Sequence, residues 1–236
     1  MNCPVCGSTR TKWLIPDIQG ILGCHECRHV FRNYPLINLK EYYSKIYRSD
    51  ERQKLEPKFS NEVFEKRNEF ILGKISRFIQ EQKALFEVGF GHGYFYNSMS
   101  KAFPDIKYSC CEISEPLAEA NKLRGIDTTN CSFQDVVGKK FDIIASFDVL
   151  EHIYNPKDYV SKLDELLNVG GLSIIQVPTD RELHFRKPFD GHYHYFSDQS
   201  LKLLMGDSYE CKLIYKTKRG ETASGREYLT VFKRLK

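Results

Sequence analysis

One stretch constrains the chain more than any other: Leu85-Phe86-Glu87-Val88-Gly89-Phe90-Gly91-His92-Gly93-Tyr94. An apolar run breaks into three glycines at alternate positions and then into an amphipathic segment, which reads as strand, tight loop and helix. Gly89, Gly91 and Gly93 permit left-handed backbone and let a ligand lie against bare main chain. Their spacing, G-x-G-x-G, differs from the G-x-G-x-x-G that seats a pyrophosphate on a helix N-terminus. Glu87, two residues before the first glycine, would repel a pyrophosphate and suits a ligand with an ammonium group.

The rest of the chain repeats this alternation. Apolar runs at 84–89, 107–112, 141–147 and 172–177 are separated by helical stretches at 94–103, 114–124 and 156–167. Ser114 and Pro116 mark a helix start. A short helix over 200–205 precedes two further strands, 211–216 and 228–233, joined by a Gly-bearing turn. The pattern predicts an α/β fold: a doubly wound, mostly parallel seven-stranded sheet with an antiparallel edge. Glu112 ends the second strand, 25 residues after Glu87, where a carboxylate can accept both hydroxyls of a ribose. Asp135 is expected to end a weaker third strand, near an adenine amino group, with Gln134 as its alternative. Phe147 and Asp148 close the fourth strand, and Gly170-Gly171 open the fifth.

The N-terminus carries a second signal. Cys3, Cys6, Cys24 and Cys27 form C-x2-C, 17 intervening residues, then C-x2-C. Two residues between thiolates let a tight knuckle turn both sulfurs toward one ion, so the spacing predicts a structural zinc ribbon with four tetrahedral ligands. Trp13 and Phe31 can cover a site too small to have its own core. The other four cysteines, Cys110, Cys111, Cys131 and Cys211, fall on strand or strand-edge positions and read as packing residues. The expected domains are a zinc ribbon at 1–34, a helical connector and cap at 35–80, and a ligand-binding α/β domain at 81–236. The connector is rich in tyrosine (Tyr42, Tyr43, Tyr47), and an amphipathic helix with Phe64, Ile71, Ile75 and Ile79 starts near Ser60.

Composition excludes several classes. With 41% hydrophobic residues among 236, the chain buries a core, and disorder is a poor reading. The net charge is +4 and no Lys/Arg run exceeds two, so a dedicated nucleic-acid interface is not expected. The first residues lack an apolar h-region, and no 18 apolar residues run together. These features give the expectation of a cytoplasmic protein with no membrane partner and reduced cysteines.

The ordered set from Glu87 to Gly171 resembles the class I S-adenosylmethionine-dependent methyltransferase superfamily, over about residues 65–236. Within it, Asp148-Val149-Leu150-Glu151-His152-Ile153 and His194-Tyr195-Phe196-Ser197 resemble the small-molecule methyltransferases. The resemblance implies that Glu87, Gly89, Gly91 and Gly93 hold the methionine part of the cofactor and that Glu112 binds its ribose. It further implies that Ile113 packs on adenine, that Asp135 contacts its amino group, and that Phe147 and Asp148 line the cofactor beside the methyl.

For the acceptor, a base is sought in the loops beyond the carboxyl ends of the strands, where His152, His192 and His194 fall. An N-terminal four-cysteine module on such a core resembles the deoxysugar C-methyltransferases, and His192 matches a catalytic histidine of theirs. Their tyrosine and glutamate correspond to Phe189 and Gly191, and their C-terminal domain has no counterpart in this sequence. Methyl transfer to an oxygen of a saccharide or nucleotide-sugar is therefore the expected activity, with His192 as first choice of base. An RNA methyltransferase gripping its substrate with the ribbon is the alternative. Asp148, Glu151 and His152 also resemble an acid-x-x-Glu-His set that binds Mg²⁺ in some quinone and RNA-end methyltransferases.

Overall fold

A computed structural model describes residues 1–15, 20–33, 38, 41, 61–179, 191–218, 221 and 226–236. The tyrosines of the connector, Ser60, Phe189 and most of the turn before the last strand lie outside them. Three short strands, β1 (Thr11–Ile15), β2 (Ile21–Cys24) and β3 (Val30–Arg32), form an antiparallel meander between and beyond the two cysteine knuckles. Helix α1 (Asn61–Ile79) then leads into β4 (Ala84–Val88), α2 (Tyr94–Ala102), β5 (Lys107–Cys111), α3 (Glu115–Leu123) and β6 (Asp127–Thr129). After β7 (Phe141–Phe147), α4 (Pro156–Leu166) and β8 (Leu167–Pro178) come β9 (His194–Tyr195), α5 (Asp198–Met205), β10 (Tyr209–Lys216) and β11 (Glu227–Arg234).

The main sheet runs β10-β11-β8-β7-β4-β5-β6, with β8 through β6 parallel. Side chains alternate along its strands, so its two faces can be read from single residues. Leu85, Ile143 and Ala145 pack with Ile71, Ile75 and Ile79 of α1 and Phe95 and Met99 of α2. Their neighbours Phe86 and Ile144 point the other way, toward Tyr159, Leu163 and Leu166 of α4 and Leu201, Leu204 and Met205 of α5. Both faces are covered, as parallel strands with near-continuous apolar runs require. The doubly wound expectation holds.

Three details differ from the sequence reading. The antiparallel strand is β11, held on both sides by β8 and β10, so it lies one place in from the edge. The strand-five region begins at Leu167, and Gly170-Gly171 sit inside β8, at an irregularity in its pairing with β7. A Cβ on Gly171 would approach the Asp142 carbonyl to 2.9 Å, which is why glycine stands there. Asp135 does not end a strand. The third parallel strand stops at Thr129, and Asp135 closes a 3-10 turn, Phe133–Asp135. The weak apolar content of 126–136 hid this, since only Phe133 of the turn is buried.

The ribbon is tied into the body by a second sheet, β1-β2-β3-β9. Val30 and Phe31 pair with Tyr195 and His194, strand to strand. Ser197 starts α5 with a capping box, its hydroxyl accepting from the Ser200 amide at 3.0 Å and donating to the Cys27 carbonyl at 2.7 Å.

Candidate active site

The glycine loop leaves β4 and folds over the end of β5, where the Gly89 and Phe90 amides donate to the Cys111 carbonyl at 3.0 and 3.1 Å. All three glycines have positive φ, +70°, +57° and +74°. Two of them are needed by the protein itself. A Cβ on Gly89 would lie 2.6 Å from Val149 Cγ2, and one on Gly93 would lie 2.5 Å from the Phe90 ring. Gly91 differs: a side chain there would meet nothing within 4 Å, so the loop presents bare backbone to open space. Glu112 lies beside it, one oxygen accepting from the Gly91 amide at 2.7 Å and the other from the Ser114 amide at 2.8 Å. Ile113 follows, half-buried.

Glu87 is 4% exposed and accepts a hydrogen bond from the Tyr108 hydroxyl. Burial pushes its carboxyl up to about 8, against the pull of Tyr108 and Arg67. Asp148, just past β7, adopts φ 57°, a left-handed conformation unusual outside glycine. It is held by Arg67, whose guanidinium donates to Asp148 Oδ2 at 2.8 Å and lies over the Phe147 ring. Arg67 is 8% exposed and is attracted to Asp148, Glu227 and Glu87 together. The sequence reading missed it. The available signal was a lone arginine four residues before Ile71 on the apolar stripe of α1. Several buried polar atoms here make no hydrogen bond: Arg67 Nε, Asn68 Nδ2, Gln176 Oε1 and both carboxylate oxygens of Glu151, whose Oε1 lies 3.9 Å from His152 Nε2. Buried polar groups are nearly always bonded, so such a set is equipped to bond a polar ligand or ordered water. Burial and the nearby Asp148 push the Glu151 carboxyl up.

The histidines separate into two kinds. The His152 Nδ1 lies 2.9 Å from the Gly191 carbonyl, which can only accept, so Nδ1 carries the proton and Nε2 keeps the lone pair. The His192 ring stands edge-on to His152, centroids 4.5 Å apart. Ligand atoms of Glu151, His152 and His192 all lie within 4.8 Å of one another. His194 stands apart. It is 2% exposed, its Nε2 faces the Ile153 and Tyr154 carbonyls at 2.9 and 3.1 Å, and its Nδ1 faces His29 Nε2 at 3.1 Å. Burial lowers its pKa to about 4. With both nitrogens engaged, His194 is not placed to take an acceptor proton. Asp135 is exposed and accepts from the Ser132 hydroxyl at 2.6 Å, aimed along its own turn.

At the other end of the chain the four knuckle sulfurs converge. Cys3 and Cys27 sulfurs lie 3.6 Å apart, as do those of Cys6 and Cys24, and all four fall within 4.8 Å. Sulfurs about 2.3 Å from a tetrahedral centre stand roughly 3.8 Å from each other. The donor set and spacing fit a zinc ion.

A methyltransferase-domain family model matches residues 63–214, and the chain belongs to that family. The fold is shared with the Burkholderia thailandensis 1,6-didemethyltoxoflavin-N1-methyltransferase, solved with 1,6-didemethyltoxoflavin and S-adenosylhomocysteine (13% identity, TM-score 0.64, 90% of this chain and 98% of that one). It is shared with a Thermotoga maritima S-adenosylmethionine-dependent methyltransferase described as a possible histamine N-methyltransferase (19%, TM-score 0.62, 84% and 100%). A plantazolicin methyltransferase solved with S-adenosylhomocysteine is similar as well (12%, TM-score 0.60, 83% and 94%). A comparison with curated protein sequences finds no match. The chain is a methyltransferase of that family.

Proposed function

We propose that this enzyme methylates an oxygen of a small-molecule acceptor, with a saccharide or nucleotide-sugar as the first candidate. When bound, S-adenosylmethionine supplies an electrophilic methyl group on a sulfonium. The protein's work is to hold that group and the acceptor in line and to remove a proton. Glu87, Gly89, Gly91 and Gly93 hold the methionine part, and Glu112 takes the ribose hydroxyls. Ile113 packs on the adenine, Asp135 or Gln134 meets its amino group after local turning, and Phe147 and Asp148 form the wall nearest the methyl. The observation that carries the reading is the His152–His192 pair with Glu151 in the segments beyond β7. His152 Nε2, left with the lone pair by the bond to Gly191, is the base best prepared by geometry, and His192 adjoins it. The four cysteines hold a structural zinc. A small-molecule acceptor accords with the natural-product substrates named for the similar structures. No helix among the described residues is long and apolar enough to cross a membrane.

The test is incubation with methyl-labelled cofactor and, in parallel, a panel of nucleotide-sugars, free saccharides and total RNA. Label in a sugar hydroxyl that falls about 10²–10⁴-fold in His152→Ala or His192→Ala supports the proposal. Label in RNA alone overturns it.

A further inference from the structure

Three layers of chain meet beside the proposed acceptor site, each hydrogen-bonded to the next. The innermost is residues 150–154, which carry Glu151 and His152. The middle is residues 191–197. It grips the first through the Tyr193 amide donating to the Glu151 carbonyl at 2.8 Å, His152 Nδ1 donating to Gly191, and Tyr193 packing edge-on against Tyr154. The outermost is the ribbon. The Arg32 amide donates to the Tyr193 carbonyl at 2.9 Å, an Arg32 guanidinium nitrogen donates to the Tyr195 hydroxyl at 3.1 Å, and the Gln199 amide side chain donates to the Glu26 carbonyl at 2.9 Å. The two Arg32 contacts reach the middle layer from β3, just after Cys27, and the Gln199 contact ties α5 to the knuckle itself.

A buried pair of histidines runs through all three. His194 Nε2 faces two carbonyls, which only accept, so it carries the proton, and Nδ1 is left as the acceptor. His29 Nε2, 3.1 Å away, must then be the donor, and His29 Nδ1 is bare. That nitrogen is buried and makes no hydrogen bond. The rings are sandwiched, His29 stacked on Phe31 at 5.9 Å and tilted on Phe196 at 4.8 Å. The polarity is therefore fixed: ribbon His29 donates to His194, and His194 donates to the backbone that follows His152.

We propose that the ribbon is a positioning element for the acceptor wall, with His29 acting through His194 on the segments that carry His152 and His192. The geometry is that of a supporting shell. Groups that meet a substrate need rotamers held by the residues behind them. The knuckles fix the β2–β3 turn, the turn places His29, and His29 donates into a relay whose direction the Ile153 and Tyr154 carbonyls set. The assignment of the wall to an acceptor rests on the proposed function above. The support of the wall by the ribbon does not.

The experiment is ¹⁵N-histidine and amide-exchange NMR on the zinc-loaded full chain, with S-adenosylhomocysteine calorimetry as control. His29→Phe keeps a ring between Phe31 and Phe196 but removes the donor. The amide of Tyr193, bonded to Glu151, should exchange about 10-fold faster or more, and the His152 ring nitrogens should shift, while Ile144 in the central strand and cofactor affinity stay as they were. His29→Gln, whose side-chain amide can donate from nearly the same place, should restore both signals. A filling residue without a donor would not be rescued in this way. Removing zinc from the unaltered protein should reproduce the His29→Phe pattern. Unchanged Tyr193 exchange and His152 shifts in both the variant and the zinc-free protein would overturn the proposal. Absence of any sugar methylation would overturn the proposed function and leave these signals intact.

Discussion

Replacing Glu87 by Gln should stabilise the protein and weaken the cofactor together. The buried carboxyl keeps its proton up to about pH 8, whereas in an unfolded chain it is lost near 4.5. Between those values the folded state binds more protons than the unfolded state, so stability falls as pH rises, at about 1.4 kcal/mol per pH unit. From pH 5 to pH 8 the loss amounts to about 3 kcal/mol, and above about pH 8 it stops growing. Glutamine retains the acceptor for Tyr108 and has no proton to lose. Urea unfolding of both proteins at several pH values should therefore show the variant gaining about 3 kcal/mol on the native chain across that interval. Parallel curves, offset by a constant, would refute the claim that burial holds the proton on Glu87. The same burial gives the residue its use. A cofactor ammonium favours the charged form, so binding at pH 7 should release on the order of one proton, seen as a buffer-dependent heat. A charge-assisted bond is worth about 1.5–3 kcal/mol, so Glu87→Gln should bind S-adenosylhomocysteine about 10- to 100-fold more weakly.

Other perturbations address separate parts of the account. Arg67→Met should destabilise the protein by about 1–3 kcal/mol, read in the same urea assay, because it strips the partner from the partly buried Asp148. Arg67→Met together with Asp148→Asn should recover part of that loss. Elemental analysis of protein purified without chelator should give one zinc per chain, and Cys6→Ser should lower it, with exchange protection lost over residues 1–33. Among the histidines, His152→Ala should depress turnover about 10²–10⁴-fold with cofactor affinity nearly intact, whereas His194→Ala should show mainly as lost stability in thermal unfolding.

The parts of this molecule legible in the sequence are those where one local pattern has one physical cause. Alternating strands and helices fixed the parallel sheet, since apolar runs such as Ile143-Ile144-Ala145 must be covered on both faces. The cysteine spacing anticipated four converging sulfurs, because ligand geometry depends on a few adjacent residues. Glu112 just past β5 and the three glycines also fell where expected, for their placement follows from the end of one strand. What escaped were pairings between distant segments. Nothing near Arg67 in the chain announces Asp148, and nothing in His194-Tyr195 announces a strand partner in Val30-Phe31. His194 carried the same apparent promise as His192, but it lies in β9, paired with Phe31 and bonded to His29, whereas His192 precedes the strand. Asp135 was misplaced because a three-residue 3-10 turn has too little periodicity to read.

The most direct test is a crystal structure of the enzyme with S-adenosylhomocysteine. The account predicts ribose hydroxyls on the Glu112 carboxylate, the methionine part over Gly91 near Glu87, and His152 and His192 on the side of the sulfur from which the methyl departs. A cofactor seated away from Glu112 and Gly91, or both histidines on the opposite side of the sheet from its sulfur, would contradict it.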